Sequence, residues 1–165
     1  MKIFLIHGAG GSPESNWFPW LKENLDIIIP QMPEEDLSLW LDEIKKYDLE
    51  DSILIGHSLG VPFLLKVLEN TKIKAAFLVS GFVSKLNNEY DPLVKSFIEF
   101  FNFDKIKQNC PKFYIFHSED DNLVSVDHAH ELKDKLNGEL ILFKDRGHFN
   151  QKEFIELKNL LDRFS

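Results

Sequence analysis

Short apolar runs alternate along the chain with stretches in which apolar residues recur every three or four positions. An uninterrupted apolar run is typical of a strand that is buried on both faces, whereas the wider spacing is typical of an amphipathic helix. The runs predict six strands, at Lys2–His7, Ile27–Ile29, Ser52–His57, Ala75–Ser80, Phe113–His117 and Leu140–Phe143. The spaced stretches predict helices over Trp17–Leu25, Glu34–Lys46, Val61–Glu69, Leu93–Phe101, Ser125–Leu136 and Asn150–Phe164.

The alternation of strands and helices predicts an α/β fold. Strands that are joined by helices pair in parallel, and the helices then cover both faces of the sheet. We therefore expect a three-layer α/β/α sandwich with a mainly parallel six-stranded sheet, formed by one domain that spans residues 1–165. The segment 81–109 carries one short predicted helix, which is too little for a full lid domain.

Ligands bind to sheets of this kind at the carboxyl ends of the strands. The residues that directly follow each predicted strand are therefore the first candidates for a functional site. Most of the unusual residues of the chain lie in these segments, which are 7–12, 56–60, 80–82, 118–122 and 145–149.

The segment Gly56–Gly60 reads G-x-S-x-G and lies between a predicted strand and a predicted helix. A tight strand-to-helix turn of this type strains its central residue and presents the serine above the sheet, at the positive end of the helix. Ser58 is therefore the candidate nucleophile. His57 precedes it directly, and we expect its side chain to point away from Ser58 and to have a structural role.

A serine hydroxyl needs a neighbouring base to act as a nucleophile. His148 follows the last predicted strand and is the candidate base. The acid that orients this histidine is expected after the fifth strand, where Asp121 is the first candidate and Asp120 is the alternative. The resulting order of Ser58, Asp121 and His148 along the chain is the order found in α/β-hydrolase triads.

The turn after the first strand, His7–Ser12, is rich in glycine. Acyl transfer needs preorganised N–H donors for the developing oxyanion. We expect one donor from Leu59, directly after the nucleophile, and a second from Ala9, with Gly10 as the alternative. A phosphate-binding role for the turn is not favoured, because Pro13 stands where a dinucleotide-binding motif has its third glycine and no G-x-x-x-x-G-K-[ST] run exists. No cofactor is therefore expected.

Aromatic residues near the strand ends suggest a pocket for the substrate. The candidate pocket residues are Gly10, Trp17, Phe82 and Phe149. A second aromatic group either packs against the sheet or forms an apolar wall for an acyl group; its members are Phe97, Phe100, Phe101 and Phe103. No metal site is expected, because His128 and His130 are two positions apart and face different sides of a helix.

These segments together resemble the small serine hydrolases of the α/β-hydrolase superfamily, and in particular the compact, lidless retinoblastoma-binding-protein/YdeN family. The resemblance spans essentially the whole chain and rests on the turn His7–Ser12, the pair Trp17 and Trp20, the motif Gly56–Gly60, the Asp120-Asp121 loop and the segment Gly147–Phe149. It implies a hydrolase with Ser58, Asp121 and His148 as its triad and with weak or poorly defined esterase activity. The Leu-x-Cys-x-Glu motif behind the retinoblastoma-binding label is absent, so that partner is not expected.

Composition narrows the range of partners. The formal charge is −8, and only two of the 19 basic residues are arginine. Such a chain has few groups that neutralise phosphates, which argues against nucleic acid and against anionic membranes as partners. The single cysteine, Cys110, excludes an internal disulfide and suits a reducing cytoplasm. No apolar run approaches the ~20 residues of a membrane span.

The residues therefore favour a serine hydrolase whose substrate is a small-molecule ester, thioester or amide. Two alternatives stay open. One is a catalytically weak or inactive binding module on a hydrolase fold, and the other is an acyltransferase that passes the acyl group to an alcohol or an amine. The sequence identifies no protein partner.

Overall fold

The computed structural model describes every residue from Met1 to Ser165. Its sheet contains five strands that are all parallel and lie side by side in chain order. The strands are β1 (Ile3–Ile6), β2 (Ile53–His57), β3 (Ala75–Val79), β4 (Phe113–Ser118) and β5 (Glu139–Phe143). The predicted parallel sheet is confirmed, but it has five strands and not six.

The predicted strand at Ile27–Ile29 is wrong, because this segment forms only one bridge to the edge of the sheet. Ile28 donates its N–H to the carbonyl of Ile3 and accepts a hydrogen bond from the N–H of Leu5, both at 2.9 Å. A parallel ladder would next need an N–H from residue 30. Pro30 has no N–H group, so the pairing ends after one residue.

Seven α-helices connect or follow the strands. They are α1 (Phe18–Asn24), α2 (Leu37–Ile44), α3 (Gly60–Leu68), α4 (Asp91–Val94), α5 (Phe103–Asn109), α6 (Asp127–Leu136) and α7 (Ile155–Leu161). Short 3₁₀ turns extend α4 over Lys95–Ile98 and α7 over Asp162–Phe164. None of these helices has the length and apolar character needed to cross a lipid bilayer.

The segment between β3 and β4 differs from its predicted form. The sequence predicts a helix over Leu93–Phe101, but helical structure ends at Ile98 and a second helix, α5, follows. Phe100 has a left-handed backbone with φ of 57°, which interrupts the helical path. Asn102 then caps α5, because its side chain accepts the N–H of Lys105.

Apolar side chains pack against both faces of the sheet, which confirms the three-layer α/β/α sandwich. Helices α2, α3, α5 and α6 cover one face, where Leu54 and Leu78 project from the strands. Helices α1 and α7 cover the other face, where Ile55 and Phe77 project. Each fully buried side chain of this kind contributes about 1.5–3 kcal/mol to folding. Burial on both faces explains why the strands have uninterrupted apolar sequences.

Candidate active site

Ser58 lies in a sharp turn between β2 and α3, at the carboxyl edge of the sheet. Its φ is 55°, a left-handed conformation that costs a non-glycine residue about 1–2 kcal/mol. The turn is held by a 2.9 Å hydrogen bond from the N–H of Ser58 to the carbonyl of Val79. Glycine is required on both sides of it: a β-carbon on Gly60 would lie against the carbonyl oxygen of Ile6, and one on Gly56 would lie 2.9 Å from the carbonyl oxygen of Gly60.

The side chains of Ser58, His148 and Asp121 form one continuous line of hydrogen bonds. His148 Nε2 lies 3.0 Å from Ser58 Oγ, and His148 Nδ1 lies 2.9 Å from Asp121 Oδ2. A carboxylate accepts hydrogen bonds only, so Nδ1 of His148 carries the proton and the lone pair of Nε2 faces the serine hydroxyl. This is the arrangement in which an imidazole can withdraw a proton from a serine.

Asp121 is held as a carboxylate by the groups around it. Burial by itself would raise its pKa, but hydrogen bonds to the charged form outweigh burial and lower the pKa below its usual value. The donors are His148 and the backbone N–H groups of Leu123 and Val124, the last two both 3.0 Å from Asp121 Oδ1. The side chain of Asp121 is 0% exposed, so it is ionised without contact with solvent.

Asp120, the alternative acid, points to a different part of the site. Its Oδ1 accepts hydrogen bonds from Ser118 Oγ at 2.5 Å and from the N–H of Gly147 at 2.9 Å. Ser118 Oγ in turn accepts the N–H of Arg146 at 2.9 Å. The structure therefore brings Asp121 to the imidazole of His148, whereas Asp120 binds the backbone N–H of Gly147, the residue before that histidine.

His57 is buried at the base of the site, and its contacts agree with a structural role. Its Nε2 lies 2.9 Å from the backbone carbonyl of His148 and donates to it, and the two rings are 5.1 Å apart. Burial, with a smaller effect from nearby His148, lowers the pKa of His57 to about 3. His57 is therefore neutral near pH 7 and supports the backbone of the loop that carries His148.

The glycine-rich turn, Gly8–Gly11, lies beside Ser58, since a β-carbon on Gly8 would be 3.1 Å from Ser58 Cβ. The carbonyl of Gly8 accepts hydrogen bonds from His7 Nδ1 at 2.8 Å and from the N–H of Gly11 at 3.1 Å. In a trans peptide the N–H points opposite to the carbonyl, so these two bonds fix the direction of the Ala9 N–H.

The two sequence candidates for the second oxyanion donor differ in availability. The N–H of Gly10 donates to Glu35 Oε1 at 2.5 Å, so it is already occupied. The N–H of Ala9 and the N–H of Leu59 donate to no acceptor within the chain. Both residues line the cavity beside Ser58, and these two backbone groups are therefore free to bind a ligand.

A cavity of about 320 Å³ opens next to Ser58, at the small end of the range for ligand sites. Its polar lining includes the glycine-rich turn, Asn16, His148 and Asn150. Its larger apolar and aromatic lining residues include Phe18, Leu59, Phe82, Leu86, Tyr90, Leu93, Val94, Leu123 and Val124. Gly10 and Phe82 line this cavity, as the sequence predicts, but the wall formed by α4 and the loop before it was missed. No lysine, arginine, aspartate or glutamate lines it.

The sequence predicts that Trp17 and Phe149 line the pocket, but both are fully buried and neither lines the cavity. Trp17 Nε1 donates to the carbonyl of Phe149 at 3.2 Å, so the pair braces the start of the segment after His148. The second aromatic group does not line the cavity either. Phe97 packs edge-on against Trp40, with ring centroids 5.1 Å apart, and belongs to the core.

No group of three or more His, Cys, Asp or Glu side chains is arranged so that it could hold a metal ion. His128 lies beside Ser84 instead, with Nδ1 3.3 Å from the hydroxyl oxygen. Ser84 donates to Glu131 at 2.6 Å, so the hydroxyl links α6 to the loop after β3. The ring of His128 also lies edge-on to that of Phe82, which lines the cavity, with ring centroids 6.3 Å apart.

Comparison with known proteins places the chain among hydrolases. The model of the serine hydrolase family matches residues 3–160. The chain is 32% identical to the serine hydrolase RBBP9 of Rattus norvegicus, over 94% of this chain and 91% of that protein. It is 30% identical to the putative hydrolase YdeN of Bacillus subtilis, over 92% of this chain and 87% of that protein.

Solved structures share the fold. The crystal structure of the ydeN gene product from B. subtilis superimposes with a TM-score of 0.91 at 27% identity, covering 99% of this chain and 97% of that one. Est1E from Butyrivibrio proteoclasticus superimposes with a TM-score of 0.74 at 17% identity, covering 98% of this chain and 85% of that one. The second likeness is one of fold alone.

The buried neutral His57 predicts a specific loss of stability in acid. Its folded-state pKa of about 3 lies below the unfolded value of 6.5, so the unfolded chain binds a proton first as the pH falls. The stabilisation is complete above pH 6.5 and declines toward pH 3. Between pH 7 and pH 4, wild type should lose about 3 kcal/mol more unfolding free energy than His57→Gln, whose amide can still donate to His148.

Chemical denaturation at a series of pH values measures this difference. His130→Gln is the matched control, because His130 is exposed and its variant should follow wild type. Parallel curves for wild type and His57→Gln would contradict the assignment of His57 as a buried neutral histidine.

Proposed function

Since the chain belongs to the serine hydrolase family, we propose that it cleaves small esters, thioesters or amides through an acyl-enzyme on Ser58. The observation that carries this proposal is the line of hydrogen bonds from Ser58 Oγ through His148 to Asp121, with distances of 3.0 and 2.9 Å. The free N–H groups of Ala9 and Leu59 beside the serine support it.

In the proposed reaction, Ser58 Oγ attacks the substrate carbonyl while His148 Nε2 takes the hydroxyl proton. The carbonyl oxygen becomes an oxyanion and binds the N–H groups of Ala9 and Leu59, and each such donor contributes about 2.7–4 kcal/mol. His148 then gives its proton to the leaving group, which departs as an alcohol, thiol or amine. Water, deprotonated by the same histidine, releases the acid and restores Ser58. Asp121 stabilises the imidazolium throughout.

The cavity favours an uncharged acyl group. Its apolar lining residues match a hydrocarbon chain, and no lysine or arginine lines it to pair with a carboxylate. Burying an unpaired charge is costly, so an anionic acyl group should be rejected. Glu35 at the glycine-rich turn and the net charge of −8 add to this preference, because both repel anions.

Replacing Ser58 by alanine tests the nucleophile. Hydrolysis of p-nitrophenyl acetate should fall to background, since the serine in subtilisin-type triads is worth a factor of ~10⁶. Wild type should be labelled by a fluorophosphonate and Ser58→Ala should not. Ser125→Ala, which changes an exposed serine, should behave as wild type. A Ser58→Ala protein that keeps more than a few per cent of kcat would contradict the assignment.

The same measurements separate the alternatives. A binding module would show neither labelling nor hydrolysis in the wild-type protein. An acyltransferase would be labelled, but in the presence of an added alcohol or amine it would release mainly the transferred product and little free acid.

Asp121→Asn should reduce kcat far more than Asp120→Asn. Only Asp121 contacts His148 Nδ1, and the comparable triad change costs a factor of ~10⁴. Asp120→Asn weakens the bonds to Ser118 and Gly147, so it should have a milder effect. Steady-state kinetics of both variants against an activated ester measures this, and the reverse order would transfer the orienting role to Asp120.

The charge preference is tested with a butyryl and a succinyl p-nitrophenyl ester, which differ in the carboxylate. The butyryl ester should have at least a ~10-fold higher kcat/KM, equivalent to about 1.4 kcal/mol. Leu93→Lys places a cation in the lining of the cavity and should lower the ratio of butyryl to succinyl kcat/KM, whereas Leu93→Met should leave this ratio unchanged. Equal rates for the two esters in wild type would refute the preference.

A further inference from the structure

Three residues of the segment 31–36 form hydrogen bonds with the glycine-rich turn or with His7, which precedes the turn. Gln31 Nε2 donates to the carbonyl of Gly11 at 3.3 Å. The N–H of Met32 donates to His7 Nε2 at 3.0 Å, and Glu35 Oε1 accepts the N–H of Gly10 at 2.5 Å. The last contact involves the only charged side chain of the three, and it lies one peptide away from Ala9.

Glu35 is presented from a fixed backbone. The indole of the fully buried Trp40 donates to the carbonyls of Pro33 and Glu34, at 3.0 and 3.1 Å. On the other side, Asp36 caps α2 by accepting the N–H of Leu39 at 3.0 Å. The residues on both sides of Glu35 are thus anchored, while Glu35 itself makes no other hydrogen bond or ion pair. Its contact with Gly10 is therefore the one interaction that its side chain contributes.

The shape of the turn explains what this contact does. The bond from the N–H of Gly11 to the carbonyl of Gly8 closes a four-residue turn, and Gly10 at its third position has φ of +65°. These features match a type II turn, which differs from type I in the orientation of its central peptide. That peptide joins Ala9 to Gly10, and its N–H is the group that Glu35 holds. Glu35 therefore opposes rotation of the peptide that follows the Ala9 N–H.

We propose that Glu35 is a positioning residue: its carboxylate holds the peptide after Ala9, while the bonds to the Gly8 carbonyl hold the peptide before it, and together these contacts keep the Ala9 N–H aimed at the oxyanion. The inference rests on the proposed function and goes beyond it by assigning a role to a residue outside the reacting groups. Glu35 acts only through the turn and touches neither substrate nor the side chains that exchange protons.

The central test compares Glu35→Ala, which removes the acceptor, with Glu35→Gln, which keeps an acceptor and removes the charge. Glu35→Ala should lower kcat about tenfold, less than direct loss of an oxyanion donor, with KM within about twofold of wild type. Glu35→Gln should restore most of the activity. Glu34→Ala is the matched control, because it removes an exposed neighbouring carboxylate whose side chain makes no hydrogen bond.

A second readout separates positioning of the oxyanion donor from general damage. A thionoester develops negative charge on sulfur, which accepts hydrogen bonds from N–H groups weakly. The ratio of ester to thionoester kcat/KM should therefore fall in Glu35→Ala and stay near the wild-type value in Glu35→Gln and Glu34→Ala. Thermal melting of all variants accompanies the kinetics.

Several outcomes would overturn the proposal. Unchanged kinetics in Glu35→Ala, with wild type active, would refute this inference and leave the proposed function standing. Higher activity in both Glu35 variants would mean that the charge opposes the reaction. A large fall in the melting temperature of Glu35→Ala would mean that the contact supports the fold. A wild-type protein that neither hydrolyses esters nor labels at Ser58 would overturn both.

Discussion

The close approach of helix α3 to strands β1 and β2 sets the position of the whole site. Gly60 passes so near the carbonyl of Ile6 that no side chain fits between them, and Gly56 meets the backbone of Gly60 in the same way. The chain can turn from strand to helix in this space only by placing Ser58 in a left-handed conformation. That strain raises Ser58 Oγ above the sheet edge and leaves the N–H of Leu59 at the start of α3, where the helix dipole favours negative charge.

His148 is fixed by groups that come from the ends of two different strands, β2 and β4. Asp121, after β4, holds the imidazole, and His57, at the end of β2, holds the carbonyl of His148. Asp120, also after β4, holds the N–H of Gly147 in the loop after β5. Because the strands are parallel members of one sheet, the loops that follow them meet at one edge of the sheet. A base that is held at its ring and on both sides of its backbone needs little reorganisation before it reacts.

The parts of the structure that depend on local sequence were predictable, and those that depend on packing between distant segments were not. The motif Gly56–Gly60 by itself predicts the tight turn at Ser58. Asp121 and His148 each follow a predicted strand, which places them at the same edge of the sheet as Ser58. The strand predicted at Ile27–Ile29 does not form because Pro30 lacks the N–H group that the next hydrogen bond needs. The effect of that missing group can be judged only when the partner strand and the register are known. The burial of Trp17 likewise follows from its contact with Phe149, which is 132 residues away in sequence.

The charge balance of the proposed reaction explains why the cavity needs no cation. Before attack the reacting groups carry one negative charge, on Asp121. In the tetrahedral intermediate they carry two negative charges and one positive charge, since the proton of Ser58 has moved to His148. The net charge is therefore unchanged. The energetic cost of the step is the separation of opposite charges over a few ångströms in a poorly solvated site. In the proposed mechanism, the fixed N–H dipoles at Ala9 and Leu59 stabilise that separation without the mobile side chain of a lysine or arginine, so that mechanism requires the donors to be aimed before the substrate arrives. The contacts that hold the glycine-rich turn are therefore as much a part of the site as the groups that exchange protons.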